Sequence, residues 1–252
     1  MLTSQRKQYI LNVLNRDGQV VAKEISQALH LSEDTIRRDL REMAQEGLLQ
    51  RVHGGALPAS PAVVDFAGRE KLSVTGKQAI GRTAAMLIRD NQVIFLDGGT
   101  TAVQVARHLP TTLHATIVTH SARTAVELVS HPNVEVILIG GRLFKHSIVS
   151  VGASALEALQ HIRADVYFMG VTGIHLESGL STGDFEEAYI KRAIIQRAAE
   201  TYVLASSEKL DAASQYPIAP LSDIAGLIVE SEVADAVLMP YRDLGLSIIV
   251  SE

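Results

Sequence analysis

Leu31-Ser32-Glu33-Asp34-Thr35-Ile36-Arg37-Arg38-Asp39-Leu40, followed by Gly47-Leu48-Leu49-Gln50-Arg51-Val52-His53-Gly54-Gly55-Ala56, decides the fold of the N-terminal part of the chain. Ser32 is placed to cap a helix whose apolar positions are Ile36, Leu40, Met43 and Ala44. At 100° per residue Asp34, Arg38, Arg41, Glu42 and Gln45 fall opposite that stripe, with Thr35 and Arg37 on its shoulders. Gly47 is a stop signal, and the Gly-rich run after it suits a short hairpin. Upstream, Ile10, Val13 and Leu14 mark one helix ended by Gly18, and Ala22, Ile25 and Leu29 mark a shorter one. His30-Leu31 is then a tight connection. Helix, short turn, capped helix and hairpin is the order of a winged helix-turn-helix, expected over residues 1–57. The exposed N-terminal half of its third helix can read base edges, because an Arg there pairs bidentately with guanine or phosphate. Ser32, Asp34, Thr35, Arg37, Arg38 and Arg41 are the candidates on the helix, and Arg51 and His53 those on the wing. The bland alternative is a solvated helix laced by Asp34–Arg38 and Arg38–Glu42 pairs.

Charge limits that reading to the N-terminal piece. The 252 residues carry a net charge of −5, but residues 1–57 hold eight basic against seven acidic side chains. The remaining 15 basic and 21 acidic residues leave the rest of the chain acidic. Contact with nucleic acid is therefore expected to be local. At 4% aromatic residues and no Trp, stacking platforms for single strands are disfavoured. The absence of Cys excludes a disulfide scaffold, a thiolate metal site and a cysteine nucleophile. The nine His residues show no metal-ligand spacing, so neither metal nor cofactor is expected. No run approaches 18 apolar residues and the first ten residues lack the apolar core of a signal peptide. A cytoplasmic protein that does not enter the membrane is expected.

Residues 58–74, with Pro58, Pro61 and then Phe66-x-x-Arg69, read as a partly ordered linker. From 75 to 252 helical and strand patterns alternate. Val93 to Leu96, Ala115 to Val118, Val134 to Ile139, Val166 to Met169, Tyr202 to Ala205, Leu227 to Val229 and Ser247 to Val250 are apolar strands. Helices around 121–129, 153–160, 186–200 and 233–239 separate most of them. Strands buried on both faces and joined by helices predict a mostly parallel α/β sheet.

In such sheets ligands gather at the carboxyl ends of the strands. Three ends are chemically loaded: Asp97-Gly98-Gly99-Thr100-Thr101, Thr119-His120-Ser121 and Gly140-Gly141-Arg142. Glycines let a backbone approach a ligand, and helix N–H groups favour an anion. Each could equally be a tight strand-to-helix turn; three at successive strand ends point to one crevice. None matches a P-loop or G-x-G-x-x-G. Farther on, Asp184 and Glu187 stand at a helix start with Lys191 four residues beyond Glu187, and Lys209 follows the strand at 202–205. The bland reading of the former is dipole complementation with an i,i+4 ion pair.

The two N-terminal stretches quoted first resemble the DeoR/GlpR family of bacterial transcriptional regulators. Val21-Ala22 departs from it, since members often place a Ser or Thr cap before the second helix. The second domain is similar to the effector domain of that family at the Asp97 to Thr101 loop, Thr119, Ser121, Gly140-Gly141, Gly152, Asp165, Asp184, Glu187 and Lys209. The resemblance implies a fold akin to ribose-phosphate isomerase, with phosphorylated sugar intermediates as effectors. His120 stands where Asn is usual and Ser206 where Asp commonly precedes the Lys, both at the expected rim of the site. The reading that follows is a DNA-binding regulator, a repressor of a carbohydrate operon, assembled as a homodimer or homotetramer on double-stranded operator DNA. Its alternatives are a sugar-phosphate isomerase with a DNA-binding appendage, or a constitutive DNA-binding oligomer without an effector.

Overall fold

The computed structural model describes residues 2–252. The helix α1 (Thr3–Asp17) is closed by Gly18, whose φ of 71° lets its amide reach the Leu14 carbonyl at 2.9 Å. Then come β1 (Val20–Val21), α2 (Ala22–Leu29), α3 (Glu33–Gln45), β2 (Gln50–Val52) and β3 (Gly55–Leu57). His30 makes the α2–α3 turn in the left-handed conformation, and the Ser32 hydroxyl accepts from the Thr35 amide at the start of α3. Ile10, Leu14, Ile25, Ile36, Leu40 and Met43 meet in one buried core.

The missing side-chain cap at Val21 has a substitute. β1 pairs with β3, and the Ala22 amide donates to the Gly54 carbonyl in the wing turn at 2.8 Å. Gly55 is needed there, because a Cβ would lie 1.8 Å from the Val20 oxygen. The wing is thus joined to the first turn of α2.

A short turn at Pro61–Val63 and α4 (Phe66–Glu70) follow, then α5 (Val74–Leu87). Asp65 caps α4 through the Gly68 amide at 2.8 Å. The remaining elements are β4 (Val93–Leu96), α6 (Thr100–Arg107), β5 (Ala115–Thr119), α7 (Ala122–Leu128), β6 (Val134–Leu138), β7 (Arg142–Phe144), β8 (Val149–Val151), α8 (Ala153–Leu159), β9 (Ala164–Gly170), β10 (Gly173–His175), β11 (Gly179–Thr182), α9 (Phe185–Ile195), β12 (Ala198–Ala205), β13 (Tyr216–Ala219), β14 (Gly226–Val229), α10 (Asp235–Asp243) and β15 (Ser247–Val250).

The seven strands expected from the apolar runs form one parallel sheet in the order β15-β14-β12-β9-β4-β5-β6. Alternation splits its side chains between two cores. Ile94, Leu96, Ile117, Phe168 and Leu204 face α5 and α6, while Phe95, Val118, Tyr167, Met169 and Val203 face α8, α9 and α10. The helix expected over 186–200 stops at Ile195, since residues 198–205 pair with β9 on one side and β14 on the other. Two antiparallel additions lay outside the expected pattern: the β7–β8 hairpin and the β10-β11-β13 sheet. Strand order reverses between β4 and β9, so the crevice at their carboxyl ends is a topological switch point.

Candidate functional site

On the N-terminal module Asp34, Arg37, Arg38 and Arg41 of α3 are exposed, as are Ser32 at its start and Arg51 and His53 on the wing; Thr35 is half-buried. Among the described residues no carboxylate pairs with Arg38, Arg41 or Arg51. The pairs Asp34–Arg38 and Arg38–Glu42 do not form. Glu42 and Glu46 turn instead to Lys7 of α1, at 3.2 and 2.9 Å, and the i,i+4 bridge on α3 is Glu33–Arg37 at 2.8 Å. Asp39 points inward, 1% exposed, and takes two hydrogen bonds from the buried Arg6 guanidinium, the Nη2 one at 2.8 Å. That fork ties α3 to α1 and leaves the other face of α3 basic and open.

The second site lies at the switch point. Asp97 ends β4 and is buried with four donors around it. Its Oδ1 accepts from the Gly98 amide at 2.8 Å and faces His120 Nε2 at 2.7 Å. Its Oδ2 accepts from the Gly170 amide at 2.8 Å and from Lys191 Nζ. Burial alone would push this carboxyl up, but Lys191, then His120, carry it well below the usual carboxylate range. Asp97 is therefore a fixed anion that positions a loop and a lysine beneath the pocket. The expected Glu187–Lys191 pair is replaced by Lys191–Asp97.

Above Asp97 opens a small cavity of about 40 Å³. Gly98, Gly99, Thr100 and Thr101 form one wall. Gly99 adopts φ +108°, and nothing lies within 4 Å of where its Cβ would be. α6 begins at Thr100. The amides of Thr100, Thr101 and Ala102 have no acceptor among the described residues, and the helix's first internal bond is Val103 to Gly99.

Four cations ring this wall: Arg69 of α4, Lys77 of α5, Lys191 of α9 and Lys209 after β12. All four are less than 9% exposed. Lys77 donates to the carbonyls of Arg69 (2.7 Å) and Leu72 (2.6 Å) and lies 3.5 Å from Glu208. Lys209 donates to the Leu204 carbonyl at 2.9 Å, with no carboxylate within ion-pair distance among the described residues. Burial pushes its ammonium down to about 8, and lowers Lys77 and Arg69 from their usual values. Two carboxylates share the lining, Glu187 and Glu208. Glu208 is held by the Ser206 and Ser73 hydroxyls, each at 2.8 Å.

Seven sequence-expected residues therefore line one cavity: Gly98, Gly99, Thr100, Thr101, Glu187, Lys191 and Lys209. Asp97 supports it from below. The others stand apart. Thr119 accepts from the Ser121 amide, Ser121 caps α7 through Thr124, and both are fully buried. Gly140 and Gly141 turn the chain into β7, where a Cβ on Gly141 would meet the Val151 oxygen at 2.8 Å. Arg142 is exposed and pairs with Glu186. Asp184 caps α9 by accepting from the Glu187 amide at 2.9 Å. His120 and Ser206 lie at 1% and 0% exposure, not at the rim: His120 bridges Asp97 and the Ser150 carbonyl, and Ser206 holds Glu208. The sequence reading missed Arg69, Lys77, Ser147, Thr172, Thr182 and Glu208 as lining residues. Arg69 carried the one available hint, its Phe66-x-x-Arg69 spacing within the linker.

Among the described residues no group of His, Asp and Glu side chains has the geometry of a metal site, and no helix is long and apolar enough to cross a membrane.

Comparison with known proteins bears on both parts of the chain. Residues 6–61 match the DeoR-like helix-turn-helix domain and residues 72–231 the DeoR C terminal sensor domain. The HTH-type transcriptional regulator GolR of Listeria innocua is 30% identical over 254 residues, covering 100% of each chain. The HTH-type transcriptional regulator GlpR of Haloferax volcanii is 36% identical over 227 residues, covering 89% of this chain and 88% of its own. Among solved structures, ribose 5-phosphate isomerase A from Methanocaldococcus jannaschii aligns over 53% of this chain and 52% of its own, at 18% identity and a TM-score of 0.39. The relatives are named as transcriptional regulators, and this chain is a regulator rather than an enzyme.

Proposed function

Because this chain belongs to the DeoR family of DNA-binding transcriptional regulators, we propose that it represses a carbohydrate-metabolism operon and is released from its operator by a phosphorylated sugar bound at the switch point. The observation that carries this reading is the imbalance of charge in the cavity. Four buried cations face two lining carboxylates and the Asp97 that pairs with Lys191 beneath them, so that Arg69 and Lys209 pair with no carboxylate among the described residues, next to three unpaired amides at the start of α6. A buried cation without a partner is costly, so this surplus suits a dianion. The phosphate sits against Gly98 to Thr101 and the first turn of α6, with Lys77 and Lys209 neutralising it. Sugar hydroxyls extend toward Glu187, Ser147 and Thr172, which also line the cavity.

At the other end of the chain Arg38 and Arg41, free of carboxylates, enter the major groove on the exposed face of α3. Arg37 must exchange Glu33 for DNA. Arg51 and His53 of the wing approach the backbone. A module of this size on a net acidic chain makes few contacts, so operator binding requires two or more linked copies. Light scattering checks this: a monomer both free and on DNA overturns the assembly.

The deciding experiment pairs thermal shift with gel shift. Phosphorylated sugars should stabilise the protein and alter operator binding, while the same sugars without phosphate should do neither. A protein that binds operator but is stabilised by no phosphorylated sugar would be a constitutive DNA-binding oligomer.

A further inference from the structure

The segment that joins the wing to the sensor sheet is part of the pocket wall. Between Leu57 and Val74 it is tied to the residues that line the cavity. The Ser60 hydroxyl donates to the Thr172 carbonyl. Arg69 Nη2 donates to Ser147 Oγ at 3.2 Å, and the Ser73 hydroxyl to Glu208 at 2.8 Å. Lys77 holds the Arg69 and Leu72 carbonyls. Near the wing, the Ala213 amide donates to the Pro58 carbonyl at 3.1 Å and the Ser60 amide to the Ala213 carbonyl at 3.3 Å.

Arg69 is the telling residue. Its guanidinium is 8% exposed and faces the cavity, yet no carboxylate lies within ion-pair distance among the described residues. It donates to the Val64 carbonyl at 2.7 Å and to Ser147, leaving three of its five N–H groups unused. A desolvated guanidinium with spare donors, held at the edge of a cationic pocket, is poised to bind an oxyanion.

We propose that Arg69 is a ligand of the bound anion and that the connector is thereby part of the sensor. The proposal rests on the pocket being a phosphate site. An anion that engages Arg69 relieves its desolvation and draws the connector against the cavity. Ordering then spreads through Val64, Ser60 and Pro58 to the end of the wing at Leu57. The DNA-binding module hangs from that end, so occupancy reaches it without any change in the parallel sheet.

The test uses the full-length protein and inorganic phosphate. Wild type, Arg69→Gln and Ser60→Ala are titrated by calorimetry, and amide hydrogen exchange over residues 58–73 is followed with and without phosphate. In wild type, phosphate should slow exchange there by roughly threefold or more. Arg69→Gln should bind phosphate about tenfold more weakly and, even when saturated, fail to protect the connector. Ser60 does not line the cavity, so Ser60→Ala should keep wild-type phosphate affinity while losing the protection of 58–63. Wild-type affinity in Arg69→Gln, or phosphate binding to wild type without protection of 58–73, overturns the role of the connector and leaves the phosphate site standing. If wild type binds neither phosphate nor any sugar phosphate, both readings fall.

Discussion

Replacing Arg6 by Met should strongly destabilise the DNA-binding module while sparing the sensor domain. Arg6 and Asp39 are 6% and 1% exposed and form a two-bond fork between α1 and α3. Methionine fills much the same volume but leaves the Asp39 carboxylate buried without its partner. Removing one member of such a pair costs about 3–5 kcal/mol. A module ending at Leu57 is stabilised by only about 3–9 kcal/mol at ordinary per-residue values, so most of its margin is lost. At roughly 4–8 °C per kcal/mol for a domain of that size, its melting temperature should fall by at least about 12 °C. The double replacement Arg6→Met with Asp39→Leu removes both charges and should recover most of the loss, because the apolar pair avoids the desolvation of the ions. Calorimetry on the full chain reads the two domains as separate transitions, and a gel shift reports the surviving fraction of DNA binding. The reasoning fails if Arg6→Met melts within about 1 kcal/mol of wild type, or if the double variant is as damaged as the single one.

Three further outcomes follow from the sites. Gly99→Val places a β-branched side chain at φ +108°, a strain of about 1–3 kcal/mol, and fills the open space beside α6; calorimetry should show lost sugar-phosphate binding and a gel shift intact operator binding, and wild-type affinity would place the ligand elsewhere. Lys209 must be protonated to hold a dianion and its ammonium is pushed down to about 8, so sugar-phosphate affinity should be highest between that pH and the second pKa of the phosphate, about 6, and fall about tenfold per unit above pH 8, since binding then requires proton uptake; Lys209→Met should flatten this limb, and an unchanged slope would remove Lys209 from the site. Replacing Arg37 and Arg38 by Ala should cost about 1–3 kcal/mol for each arginine that reads a base, or lower the salt slope by about one for each that touches phosphate; unchanged operator binding in a gel shift refutes the assignment of the α3 face.

The parts of this protein that could be read from sequence are those set by local pattern. Ser32, Gly18 and the stripe of Ile36, Leu40 and Met43 announce their helices because caps and 3.6-residue periodicity act within a few positions. The seven apolar runs announce the sheet for the same reason. What escaped depends on partners far along the chain. Asp39 reads as one more charge on α3, yet Arg6, 33 residues away, draws it inward. Lys191 reads as the i,i+4 partner of Glu187, yet a buried carboxylate 94 residues earlier takes it. Residues 142–151 and 173–182 are too short for periodicity to speak, so both hairpins were invisible. The site was half legible. Gly98 to Thr101 follow from strand-end chemistry, whereas Arg69 and Lys77 reach the cavity only because α4 and α5 pack beside α6.

The joint between wing and helix has a consequence for operator geometry. Val20 paired with Ala56, Val21 with Gly55, and the Ala22 amide on the Gly54 carbonyl make the wing and α2 one piece. A reading head built this way does not retune by flexing. What a ligand can alter in the assembly proposed above is where two whole heads stand around the axis of the double helix. Half-sites one turn apart present the same face of the DNA, while about five inserted base pairs turn one of them to the far side. In that proposed assembly, rotational phase between half-sites, rather than the identity of any base within them, is the coordinate along which release from the operator would run.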